Sequence, residues 1–189
     1  ARPWRTIRAG MLQPGDRVEV APGTYPCDLY VTVRGSATLP VHIVSSGGPR
    51  AAVLDCAAGP GVTLEDAAYV AFDGLELHGS SGHGFHIQSG GPPWDVVSDH
   101  LLLREVYVHD VRLGGIKVNQ AEQIDVIGCE VARPGSTTAS GQGIDYVGVT
   151  VGRVLGNYVH DVPGNVAIMV KGGSADVIID GNRITGVDS

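Results

Sequence analysis

An eight-residue pattern recurs along the chain, apolar at positions 1, 3, 6 and 8 and usually Gly at position 5. It appears as Val70-Ala-Phe-Asp-Gly-Leu-Glu-Leu77 and Leu101-Leu-Leu-Arg-Glu-Val-Tyr-Val108. It returns as Ile124-Asp-Val-Ile-Gly-Cys-Glu-Val131, more weakly as Gly152-Arg-Val-Leu-Gly-Asn-Tyr-Val159, and last as Val177-Ile-Ile-Asp-Gly-Asn-Arg-Ile184. Each half alternates with period two, the spacing of a strand whose side chains point to opposite faces. Gly at position 5 supplies the backbone freedom of a tight corner between two short strands. A third strand precedes each octet: Gly61-Val-Thr-Leu64, Gly84-Phe-His-Ile87, Gly115-Ile-Lys-Val118, Gly143-Ile-Asp-Tyr146 and Ala167-Ile-Met-Val170. Three strands per coil and roughly 25 residues per turn predict an all-β parallel solenoid. No segment sustains a 3.6-residue period, so helical repeats do not fit.

Position 6 of the octets reads Leu75, Val106, Cys129, Asn157 and Asn182. Stacking would place these side chains ~4.8 Å apart. An inward Asn at a corner can bond the backbone of its own coil and the next, and Cys129 fits the column as a small buried residue.

Composition agrees with this picture. There are 28 Gly but only 2 Phe and 2 Trp, so the interior must be layers of Val, Ile and Leu. The formal charge is −7 and the cations form no run, which argues against nucleic acid as partner. A few well-placed cations can still hold an acidic polysaccharide. No apolar stretch is long enough to span a membrane. The chain is expected to be one domain over 1–189, with 1–60 as N-terminal cap and first coils and 61–189 as regular coils, about five of them complete. It opens at Ala1-Arg-Pro-Trp-Arg5 and reads as a mature or trimmed chain. It stops at Thr185-Gly-Val-Asp-Ser189 without an obvious capping element, so either it belongs to a longer protein or its end is covered by self-association. Of the three cysteines, Cys27 and Cys56 are candidates for a disulfide, a pairing the sequence leaves open.

The opening segment Gln13-Pro-Gly-Asp-Arg-Val-Glu-Val-Ala-Pro-Gly-Thr-Tyr25, together with the octets, resembles the pectate-lyase-like superfamily of right-handed parallel β-helix proteins. The resemblance implies a right-handed coil, a short N-terminal capping helix near Leu12, and secretion to the extracellular space or periplasm. It implies action on, or binding to, an acidic polysaccharide. The superfamily holds lyases, hydrolases, epimerases and non-catalytic proteins, so fold does not settle function.

The outward positions of the strand before each octet carry the candidate chemistry. One row reads Thr63, His86, Lys117, Asp145 and Met169; the next reads Glu65, Gln88, Asn119, Val147 and Lys171. A uronate lyase needs a base to remove the proton α to the carboxylate, and positive charge to stabilise the resulting enolate-like state. Lyases that the chain resembles use Lys, Arg or His as base, often with Ca²⁺. Lys117 is the first choice here and His86 the second, and Asp145 with Glu65 or Asn119 is the candidate Ca²⁺ set. Asp145 beside Lys117 favours the ammonium, which weakens Lys117 as a base unless a cation or Lys171 offsets it. In that case His86 becomes the base and Lys117 neutralises the substrate carboxylate.

Gln88, Asn119, Lys171, His109, His160 and Trp94 are candidate substrate contacts. Trp94 lies in the 89–99 insertion, which with the 134–142 insertion would wall a groove. The His78, His109 and His160 column reads first as turn capping. The competing readings are a solvated ladder of opposite charges in a glycan-binding or structural module, a uronate epimerase, and a glycoside hydrolase. The last wants two carboxyl groups across the bond, whereas Asp145 and Glu65 are separated by Lys117 and His86.

Overall fold

The computed structural model describes residues 6–187 except Asp28, Ala58, Trp94, 136–140 and Asn165. Six coils and part of a seventh stack in parallel. The first holds β1 (Arg17–Val20), β2 (Gly23–Pro26) and β3 (Leu29–Val31); the second, β4 (Val41–Ser45), β5 (Ala52–Asp55) and β6 (Val62–Glu65). The third holds β7 (Val70–Asp73), β8 (Glu76–His78) and β9 (Phe85–Gln88). Then follow β10 (Ser98–Arg104), β11 (Tyr107–Val111), β12 (Ile116–Ile127), β13 (Glu130–Pro134), β14 (Gln142–Leu155), β15 (Tyr158–Val162), β16 (Val166–Lys171), β17 (Ala175–Asp180) and β18 (Arg183–Val187).

The octets fall in register. Leu102 pairs with Ala71, Leu101 with Ile124, Ile124 with Gly152 and Gly152 with Val177. Position 8 aligns equally, Leu77 through Val108, Val131 and Val159 to Ile184. The corner residues Gly74, Gly128, Gly156 and Gly181 all have φ between 63° and 69°, and Glu105 takes the same left-handed turn at φ 52°.

Three features depart from the sequence pattern. The coils begin at β1, two coils before the first octet, and in the second of these the corner after β4 is lengthened by residues 46–51, which hides the motif. The N-terminal cap is a single 3-10 turn, Ala9–Met11, flanked by the buried Ile7 and Leu12. β12 and β14 each run from the third strand of one coil into the first strand of the next, since Ala121 continues the pairing to Val149 through the corner.

The interior is layered as the composition required. Inward from the site-bearing sheet lie Val31, Leu64, Ile87, Val118 and Tyr146, all fully buried. Tyr146 explains the weak octet. A Cβ at Gly152 would come 3.0 Å from the Tyr146 ring, whose hydroxyl donates to the Ile124 carbonyl at 3.1 Å. The Asn column forms as expected. Asn157 Oδ1 accepts from the Cys129 amide, and its Nδ2 donates to the Val126 carbonyl and to Asn182 Oδ1. Cys27 and Cys56 form a disulfide joining the first two coils, and Cys129 is free and buried.

Candidate functional site

The strands β3, β6, β9, the first half of β12, the first half of β14, and β16 lie side by side. Their pairing aligns Tyr30, Thr63, His86, Lys117, Asp145 and Met169 in one outward row. Glu65 faces Gln88, and Asn119, Val147 and Lys171 continue the second row. Alternation puts these polar side chains outside because their neighbours are needed inside.

The row is not a uniformly solvated ladder. The Asp145 side chain is only 2 % exposed and that of Lys117 16 %. Lys117 Nζ lies 2.5 Å from Asp145 Oδ2, and Lys171 Nζ approaches the same oxygen to 3.5 Å. Asp145 Oδ1 is buried and has no hydrogen-bond partner among the described residues. Asn119 Nδ2 lies 2.9 Å from His86 Nε2. Burial, and next the Lys117 ammonium, hold the His86 imidazole below its ordinary 6.5. At the N-terminal end Glu65 accepts from the Tyr30 hydroxyl and the Gln88 amide, and the first of these bonds pushes the exposed Tyr30 phenol up to about 12.

His83 belongs to this cluster and was not found in the sequence. Its ring centroid is 5.0 Å from that of His86, and the Gly114 amide donates to its Nδ1 at 3.0 Å. Burial and the neighbouring His86 lower its pKa to about 4. The His83-Gly-Phe-His86 spacing was the available signal, but His83 precedes the strand and so escapes a period-two reading.

The remaining candidates are placed as follows. His109 and His160 lie on the other, seven-stranded sheet, where both ring nitrogens of each are engaged, to Asp110 and Glu76 and to Asp161 and Glu130. Trp94 lies outside the described residues, as does the middle of the 134–142 insertion. The base of the 89–97 loop is pinned to the site sheet by Ser98 Oγ on the Gln88 carbonyl and Ser89 Oγ on the Gln120 carbonyl.

The pair Asp145 and Glu65 does not fit a Ca²⁺ site. Three strand steps separate them, ~14 Å at ~4.8 Å each, whereas ligands of one Ca²⁺ must lie within ~2.6 Å of it. Asp145 also already faces two ammonium groups. No group of three metal-ligating side chains occurs among the described residues.

Two solved structures share this architecture. An alginate lyase from Paenibacillus sp. str. FPU-7 superposes with a TM-score of 0.80 at 20 % identity, over 95 % of this chain and 63 % of that one. The pectate lyase Pel9A gives a TM-score of 0.61 at 16 % identity, over 95 % of this chain and 48 % of that one. The fold is a parallel β-helix shared with these two lyases. At these identities the likeness concerns the β-helix alone, and the chain spans less than two thirds of either lyase. No family model and no curated protein matches it. Among the described residues, no helix of this β-helix is long and apolar enough to cross a membrane.

Proposed function

We propose that this β-helix cleaves a uronate-containing polysaccharide by β-elimination, with His86 as base and Lys117 as the cation that meets the substrate carboxylate. The observation that carries the reading is a neutral, partly buried imidazole beside an ammonium anchored by a buried carboxylate, on one face of a rigid sheet. Elimination removes the proton on the carbon bearing the carboxylate. His86 takes that proton, the electron pair forms the ring double bond as the bond to the glycosidic oxygen breaks, and the His86 imidazolium or water returns a proton to the departing oxygen. Asp145 pairs with Lys117 and aims it, so Lys117 serves as the cation and His86 as the base. Asn119 occupies the His86 lone pair at rest and turns to a sugar hydroxyl as substrate enters. Gln88 and Lys171 offer further polar contacts along the same face. The Cys27–Cys56 disulfide accords with an oxidising, extracellular or periplasmic setting. A hydrolase fits less well, because ~14 Å between Asp145 and Glu65 exceeds the ~6.5–9.5 Å carboxyl spacing of inverting enzymes.

The test is ultraviolet absorbance of the unsaturated product on alginate and on polygalacturonate, with and without chelator. Turnover should fall about 10²–10⁴-fold in His86→Ala. The pH profile should show an acid limb below pH 6.5 and no alkaline rise, since burial lowers the His86 pKa. A rate climbing into the alkaline range would return the base to Lys117. No product from either polymer would sink the lyase reading and favour a glycan-binding module.

A further inference from the structure

Resting on the lyase reading, the geometry points to His83 as a neutral hydrogen-bond donor to the uronate carboxylate, with its Nε2–H aimed at the charge that develops during proton abstraction. The tautomer is dictated by the backbone. A peptide N–H can only donate, so the Gly114 amide at 3.0 Å requires a lone pair on His83 Nδ1 and leaves the proton on Nε2. Among the described residues Nε2 meets no acceptor, so this donor is free for a ligand.

The mount is rigid. Ser80 Oγ donates to the His83 carbonyl at 2.7 Å, and the next two amides, Gly84 and Phe85, bond the Gly114 and Gly115 carbonyls. Gly114 is a glycine for a local reason: a Cβ there would sit 3.1 Å from His83 Nδ1 and crowd the amide–imidazole contact. The ring stands beside His86, where a base and an acceptor-bearing substrate must meet.

A neutral imidazole suits this task better than a charged one. It binds the ground-state carboxylate weakly and strengthens its bond as negative charge accumulates on the carboxylate oxygens. Burial, the neighbouring His86 and then the Lys117 ammonium keep it from protonating in the working range, with its pKa lowered to about 4. Lys117 and His83 then divide the work, one supplying full charge and the other a directed proton.

The experiment combines kinetics with ¹⁵N NMR of the histidine rings in the whole chain. Loss of one such donor elsewhere costs about 10²–10³ in kcat, so His83→Phe should lower kcat about 100-fold with KM within about threefold. His83→Gln, whose amide nitrogen can reach the Nε2 position, should recover part of the loss and keep the acid limb in place. The ring should read as the Nε2–H tautomer at pH 7, and that resonance should shift when a galacturonate or mannuronate trisaccharide is added. A kcat within threefold of wild type in His83→Phe, or a Nδ1–H tautomer, overturns the assignment. If the wild-type chain turns over neither polymer, the lyase reading fails by itself. The trisaccharide titration then decides His83: a shifted Nε2 resonance supports carboxylate recognition, and an unmoved one while Lys117 Nζ shifts overturns it.

Discussion

Asp145→Asn keeps the shape of the side chain and removes its charge, which makes it the sharpest probe of the candidate site. The carboxylate is 2 % exposed and serves two ammonium groups, Lys117 at 2.5 Å and Lys171 at 3.5 Å. Without it, Lys117, whose side chain is 16 % exposed, retains a largely desolvated positive charge with no counter-charge. Breaking a buried pair from one side costs about 3–5 kcal/mol. Lys117 keeps some access to water, so a loss of about 2–4 kcal/mol is expected. For a domain of this size that lowers Tm by about 2–4 °C per kcal/mol. Lys117→Met should cost less, about 1–2 kcal/mol, because Lys171 is 47 % exposed and free to close on the vacated oxygen. The double variant Asp145→Leu/Lys117→Met should recover most of the loss, since a buried pair replaced by apolar groups is often neutral or better. Urea denaturation of the wild type and the three variants measures these differences. A cost below about 1 kcal/mol for Asp145→Asn would mean that the row behaves as an ordinary surface ladder, worth ~0–1 kcal/mol per pair. A larger cost for Lys117→Met than for Asp145→Asn would refute the argument that one carboxylate supports two cations.

Two further outcomes follow from the structure. Asn157→Ala strands the buried Cys129 amide and Val126 carbonyl, at about 1–3 kcal/mol each, while Asn182→Ala, in the half-exposed last coil, should cost under about 1 kcal/mol; equal losses in thermal melts would show that the Asn column is not a burial effect. Stability should also fall as pH drops from 6.5 towards about 4, because the unfolded chain protonates His83 before the folded one does; above 6.5 its contribution is fully present, and His83→Gln should flatten that window in melts taken against pH.

How much of this was legible in advance follows from what is local. The octets and the strand before each carry a period-two signal, and a coil cannot slip by one residue without turning its Val, Ile and Leu outward. From the sequence alone that constraint places His86, Lys117 and Asp145 on adjacent strands and puts Cys129, Asn157 and Asn182 in one inward column. The octet spacing missed the first two coils because longer corners break it there, and the weak octet at Gly152 made sense only once the Tyr146 ring was seen to fill its place.

The sequence by itself therefore determined the solenoid, its register and the order of polar residues along one face, because each depends on alternation over a few residues. Only the tertiary structure decided that Asp145 is buried while its row-mates are not, that His83 joins His86, and that His109 and His160 are engaged on a different sheet. It also decided that Cys27 meets Cys56. These depend on how loops and side chains from separate coils approach one another, across 23 to 33 residues of chain on the site face, and no local period encodes that approach.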